Sequence, residues 1–95
     1  LPIKQKVLAE IKRVFGKRAE EAIAVAKCES GLNINAVSRT ADYSIFQINA
    51  IHTKRFGSEF MTSWKENIAV AKRLFDEQSW RPWYSSDKCH QLAYK

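Results

Sequence analysis

Residues 28–31 are Cys28-Glu29-Ser30-Gly31, the predicted last turn of a helix that begins near Arg18. The helical repeat of ~3.6 residues places Glu29 on one face with five small or aliphatic residues, Ala19, Ala22, Ile23, Val25 and Ala26. Gly31 is the residue type expected to end a helix. Glu29 is therefore predicted to lie on the apolar face of a helix, at its carboxyl end.

Two effects are expected to act on the Glu29 carboxyl. Burial and the negative end of the helix dipole both penalise the charged form, so both raise the pKa. A carboxylic acid that stays protonated near neutral pH is what a general acid requires. The alternative is that Glu29 extends into solvent from the helix end and has no chemical role.

The length of 95 residues predicts a single domain, residues 1–95. Apolar residues make up 45% of the chain, which is ordinary for a globular protein and disfavours disorder. No apolar run approaches the ~20 residues that cross a bilayer, so no membrane insertion is expected. No signal peptide is recognisable either, which indicates a sequence that starts after processing or a domain of a longer protein.

The net charge of +6 makes an anionic partner plausible, and nucleic acid, acidic membrane and anionic cell wall all satisfy it. A basic helical DNA-binding domain would gather its Arg and Lys residues on one exposed helix. An acid on a buried face argues against that class, so no nucleic-acid partner is expected.

The two cysteines are Cys28, on the less apolar side of its helix, and Cys89, in the polar tail Ser85–His90. A bridge closing roughly 60 residues would stabilise the fold by about 4 kcal/mol and would imply an oxidising, extracytoplasmic location. Two unrelated reduced thiols are the alternative. Two cysteines and two histidines this scattered do not suggest a metal site.

Three further helical stretches are predicted. Apolar residues recur at helical spacing between Pro2 and Gly16, namely Val7, Leu8, Ile11, Val14 and Phe15. Residues 50–56 are expected to form one or two turns closed by Gly57. Ser63-Trp64-Lys65-Glu66 is a capping box that starts a helix ending near Ser79. The fold class is therefore mostly α.

Residues 32–49 form an irregular segment in this prediction. Residues 32–44 are polar and lack a helical period, and no Asn-Gly or Asp-Gly pair indicates a hairpin. The run Ile45-Phe46-Gln47-Ile48-Asn49 suits either a short strand or a buried turn.

Asn67 is a polar side chain among predicted core positions and must be hydrogen-bonded there. A structural tie to a loop is favoured over a catalytic role. Trp80 is expected to be core. Trp83 and Tyr84 are either core residues or part of a sugar-binding groove, since an aromatic ring matches the apolar face of a pyranose.

Four blocks in order resemble the soluble-type lytic transglycosylase (SLT) domain of the lysozyme-like superfamily: residues 22–33, residues 35–38, residues 42–49 with His52, and residues 66–69. The resemblance implies a small lysozyme-like domain of about four to six helices, without a cofactor. It implies cleavage of the β-1,4 link between N-acetylmuramic acid and N-acetylglucosamine in peptidoglycan. Glu29 matches the catalytic acid, and Ser30, Gln47 and Asn67 match positions that line or support the site.

Two other resemblances add residues to this picture. The Cys-Glu-Ser-Gly block with a late cysteine is similar to resuscitation-promoting factors, which implies a Cys28–Cys89 bridge. The block Asp42–Asn49 resembles animal-type lysozymes, in which the aspartate is the second carboxylate and the block lies along the groove. Asp42 is thus a second catalytic candidate, and Tyr43 and Asn49 are candidate sugar contacts.

This sequence departs from those families at two positions. Ser44 stands where a glycine usually follows the tyrosine, which puts the local backbone in question. The later Ala-Tyr-Asn block of many transglycosylases is missing, and Tyr84 is a candidate replacement for its tyrosine.

The predicted function is peptidoglycan cleavage by a lytic transglycosylase, with Glu29 as acid and then base. One alternative is a hydrolytic muramidase that uses Glu29 and Asp42; another is a catalytically silent peptidoglycan-binding module. The expected partner is the glycan strand, and the protein is expected to be a monomer. It is expected to act outside the cytoplasm, as a secreted or wall-associated protein or as part of a phage or secretion apparatus.

Overall fold

The computed structural model describes residues 1–86. Its helices are α1 (Ile3–Phe15), α2 (Ala19–Ser30), α3 (Thr53–Phe56) and α4 (Trp64–Gln78). Short 3₁₀ turns cover Gly16–Arg18, Ala50–His52, Glu59–Met61 and Arg81–Ser86, and the strands are β1 (Asp42–Tyr43) and β2 (Ile48–Asn49). The predicted fold class, mostly α with a short β element inside residues 32–49, is confirmed.

Helix α1 contacts both α2 and α4 and forms the middle of the packing. Its buried residues Val7, Ile11 and Phe15 lie four residues apart, so they form one stripe along the helix. Helix α2 buries Ala19, Ala22, Val25 and Ala26, which confirms most of the predicted apolar face; Ile23 is half-buried.

The predicted helix ends are confirmed. Gly31 follows α2 in the left-handed conformation (φ 64°), where its N–H donates to the Lys27 carbonyl at 2.8 Å. Gly16 and Gly57 also have positive φ values just after helices. At the start of α4, the Ser63 hydroxyl accepts a hydrogen bond from the Glu66 N–H at 3.2 Å.

An aromatic cluster closes the core beneath α1 and α4. Trp80 stacks on Phe15 and contacts Phe75 at a centroid distance of 4.5 Å. Trp83 meets Trp80 at 5.3 Å, and its indole N–H donates to the Phe46 carbonyl at 2.9 Å. Both tryptophans are at least 96% buried, so the prediction that Trp80 is core is confirmed and Trp83 joins it.

The two strands form an antiparallel hairpin, in which Asp42 pairs with Asn49 and Tyr43 with Ile48. The sequence contains no Asn-Gly or Asp-Gly pair, so this hairpin forms without the usual turn dipeptide. The turn uses two non-glycine residues with positive φ, Ser44 (63°) and Gln47 (49°). The predicted run 45–49 thus contains both a buried turn and a short strand.

Ser44 is held in this conformation by contacts from outside the hairpin. Its N–H donates to the Ala36 carbonyl at 2.7 Å, and its hydroxyl donates to the Ile34 carbonyl at 2.9 Å. A non-glycine residue in the left-handed region costs about 1–2 kcal/mol, which these bonds offset. The backbone therefore keeps the shape that a glycine would favour at this position.

Candidate active site

A cavity of about 330 Å³ lies where the end of α2 meets the hairpin. Its walls come from the last turn of α2, the loop before β1, the hairpin and the 3₁₀ turn after α4. The lining residues are Glu29, Ser38, Thr40, Asp42, Gln47, Pro82 and Trp83. The structure thus brings four of the predicted site residues together: Glu29, Asp42, Gln47 and Trp83.

Glu29 is half-buried in the last turn of α2. The next residue, Ser30, fixes this turn, because its hydroxyl lies 2.7 Å from the Ile45 carbonyl oxygen and 3.1 Å from that of Ala26. A hydroxyl has one proton, so the shorter contact to Ile45 is the stronger of the two. Ser30 therefore ties the helix end that carries Glu29 to the hairpin.

Asp42 is held by three donors. Its Oδ2 accepts hydrogen bonds from the hydroxyls of Ser38, at 2.6 Å, and Thr40, and its Oδ1 accepts one from the Asn49 amide at 2.9 Å. Burial alone would raise the pKa of the Asp42 carboxyl, but these hydrogen bonds outweigh burial and lower the pKa below its usual range. Asp42 is therefore an anion at neutral pH, with a fixed orientation in the cavity.

Ser38 and Thr40 are site residues that the sequence analysis missed. The Ser38 hydroxyl also accepts the backbone N–H of Asp42 at 3.0 Å and that of Thr40 at 3.2 Å. The spacing of Ser38, Thr40 and Asp42 is the sequence feature that could have predicted these contacts. Hydroxyl and carboxyl side chains two residues apart commonly form hydrogen bonds within a turn.

The Gln47 amide is oriented by the backbone. Its Nε2 donates to the carbonyls of Ala36, at 3.1 Å, and Ser44, at 2.9 Å. Both amide protons are used by these two bonds, so the carbonyl oxygen Oε1 is the atom that Gln47 can offer to a ligand.

Asn67 is connected to the site by hydrogen bonds to the hairpin backbone. Its side chain is fully buried; Oδ1 accepts from the Phe46 N–H at 2.8 Å, and Nδ2 donates to the carbonyls of Tyr43, at 2.8 Å, and Phe60, at 3.2 Å. The expected structural tie is confirmed by these bonds. They place Asn67 beneath the hairpin, where it supports the backbone of the site.

Three other predicted sugar contacts are Asn49, which lines a smaller cavity beside the first, Tyr43 and Tyr84. Asn49 supports Asp42 and also accepts the Ile51 N–H at 3.0 Å, so it caps the following turn. Tyr43 is half-buried in β1. Tyr84 is 50% exposed in the last 3₁₀ turn.

A second, smaller cavity of about 70 Å³ continues from the first. The two cavities share Asp42, Gln47, Pro82 and Trp83, and together they are termed the cleft below. The far end of the cleft is lined by His52, whose pKa is lowered by burial and by the charge of Arg55. His52 is thus neutral at neutral pH, and the cleft extends from Glu29 past Asp42 to an imidazole.

Two larger depressions, of about 520 and 580 Å³, border the start of α1. The first is lined by one acid, Glu10, which forms a salt bridge with Arg13 at 2.6 Å, and the second by none. The cleft is smaller than either depression, and two carboxyl side chains, Glu29 and Asp42, line it, so we take it as the candidate active site.

Cys28 is half-buried in α2, next to Glu29. Its predicted partner Cys89 lies outside the described residues, so the bridge stays a prediction. Within residues 1–86, no group of three His, Cys, Asp or Glu side chains is placed to hold a metal ion. In the same part of the chain, the helices are too short or too polar to cross a membrane.

Comparison with protein families identifies the family of the domain. The family model described as the transglycosylase SLT domain matches residues 7–77, which include α2 and α3, most of α1 and α4, and every lining residue of the cleft except Pro82 and Trp83. The chain belongs to this family of peptidoglycan-cleaving transglycosylases. No curated protein and no solved structure matched the chain.

Proposed function

We propose that this domain is a lytic transglycosylase that cleaves the β-1,4 bond between N-acetylmuramic acid and N-acetylglucosamine, with Glu29 as the general acid and then the general base. The observation that carries the proposal is that Glu29 and the anionic Asp42 line one cavity. A glycosidase requires a proton donor and a negative field at the same sugar, and this pair supplies both. Peptidoglycan lies outside the cytoplasm, so the domain acts there.

The proposed reaction has two proton transfers. Protonated Glu29 donates its proton to the glycosidic oxygen as the bond to C1 of the muramic sugar breaks, and positive charge develops on that sugar. The 6-hydroxyl of the same sugar then attacks C1 and gives its proton to the Glu29 carboxylate. The product has a 1,6-anhydro end, no water is consumed, and Glu29 returns to its starting state.

Asp42 is assigned to charge stabilisation. A carboxylate that accepts three hydrogen bonds and has a lowered pKa is a weak base and a weak nucleophile. Its fixed negative charge still favours an oxocarbenium-like centre in a cavity that excludes part of the solvent. This environment supports the intramolecular reaction over one in which Asp42 attacks the sugar or activates water.

The muramidase alternative has one observation in its favour, which is that Asp42 lies in the same cavity as Glu29. In that reaction water completes the cleavage and leaves a reducing end. The silent binding module would keep the cleft and lack any turnover.

The test of the proposed acid is Glu29→Gln, which keeps the shape of the side chain and removes its proton chemistry. The clearing of a suspension of purified cell walls should fall below a tenth of the wild-type rate, with the thermal midpoint unchanged. Glu20→Gln is the matched control, because Glu20 is an exposed acid in the first turn of the same helix. A Glu29→Gln protein that keeps more than a tenth of the activity would show that another group is the acid, and an inactive wild type would indicate a binding module.

A further inference from the structure

The surface beside the far end of the cleft is basic. Two guanidinium groups lie close to the ring of Phe56, in α3: that of Arg55, 4.7 Å from the ring centroid, and that of Arg73 from α4, at 5.0 Å. Lys54 is exposed in the same turn of α3. Lys54, Arg55 and Arg73 are termed the basic patch.

The basic patch adjoins the cleft through His52. The His52 ring contacts Phe56 at a centroid distance of 6.4 Å, and His52 itself lines the cleft. The charge of Arg55 also acts on His52, since it contributes to the lowered pKa of the imidazole. A ligand that leaves the cleft at His52 therefore meets the cations around Phe56 next.

The charge of the patch is only partly neutralised by the protein. Arg55 forms a two-bond salt bridge with Glu77, with one contact of 2.6 Å. The charge of Arg73 also acts on Glu77, so this one carboxylate is shared between two guanidinium groups and only partly neutralises their charge. Within residues 1–86, the salt bridges do not include Arg73, and its side chain is exposed. With three cations and one carboxylate, the patch can attract an additional anion.

We propose that the basic patch binds carboxylates of the peptide stems attached to the glycan strand in the cleft. The inference rests on the proposed function and specifies its substrate as stem-bearing glycan. Each stem is joined to a muramic sugar through the lactyl group, so a strand in the cleft brings its carboxylates to the rim by covalent connection. A guanidinium group matches a carboxylate through paired N–H donors, and Arg73 is the group that can supply them.

The test compares two substrates made from the same walls after removal of their phosphate-containing polymers. One keeps its peptide stems, and the other is stripped of them by an amidase. Arg73→Gln should lower kcat/KM on the stem-bearing glycan roughly two- to five-fold, the range of exposed charge pairs, and leave kcat/KM on stripped strands unchanged. Arg73→Lys should retain most of the activity, and the effect of Arg73→Gln should shrink at high salt.

Lys12→Gln is the matched control, since Lys12 is an exposed cation on α1, which lines neither cavity of the cleft. Equal losses on both substrates, or no loss on either, would overturn the inference. In those cases the wild type still cleaves glycan, and the proposed function stands. A wild type that cleaves neither substrate would overturn the proposed function, and the inference with it.

Discussion

The side-chain oxygen Oδ1 of Asn67 accepts a hydrogen bond of 2.8 Å from the backbone N–H of Phe46. This bond joins the buried face of α4 to the hairpin that carries Asp42. The hairpin turn contains two strained residues, Ser44 and Gln47, and its short strands cannot hold it alone. The position of the Asp42 carboxylate therefore depends on a side chain that never touches it.

Removal of that side chain should destabilise the whole domain. Asn67→Ala leaves the N–H of Phe46 and the carbonyls of Tyr43 and Phe60 without their buried partner. We expect the free energy of unfolding to fall by at least about 3 kcal/mol, since three buried groups are orphaned and each costs about 1–3 kcal/mol. Urea denaturation measures this loss. The exposed Asn35→Ala is the control, and a loss for Asn67→Ala no larger than that of the control would contradict this role.

Replacement of Ser79, just after α4, by glycine should make the domain more stable. Its backbone angles, φ 57° and ψ −142°, lie in a region that side chains disfavour, and the residue is exposed. Ser79→Gly should stabilise the domain by about 1 kcal/mol, and thermal unfolding should show a rise of about 4–8 °C. Ser58→Gly, at a φ of −93°, should destabilise it instead. A decrease for Ser79→Gly equal to that for Ser58→Gly would mean that the backbone at residue 79 is not strained.

The helices were predictable because their signals are local. The apolar stripe of α1, the capping serine of α4 and the glycines after three helices depend only on neighbouring residues. The position of Glu29 on the inner face of α2 followed from the same period. The helical period of α2 therefore predicts the face on which Glu29 lies without any knowledge of tertiary contacts.

The hairpin was not predictable, because its turn depends on distant bonds. Ser44 adopts a positive φ with support from Ile34 and Ala36, and no local pattern encodes those contacts. The same holds for the basic patch, where Arg73 meets Phe56 only after α4 packs. The contacts of Ser38 and Thr40 to Asp42 were partly predictable. The sequence shows the spacing of the three residues but not that the two hydroxyls bond the Asp42 carboxylate.

The most direct test of the central claim is mass spectrometry of the muropeptides released by the wild type and by Asp42→Asn. Products with 1,6-anhydro ends are lighter by one water than products with reducing ends. We expect anhydro ends to dominate for both proteins, with activity in Asp42→Asn reduced by at most roughly 10²–10³-fold, the effect of losing one stabilising group. Reducing ends from the wild type, together with an inactive Asp42→Asn, would contradict the account and identify the enzyme as a muramidase.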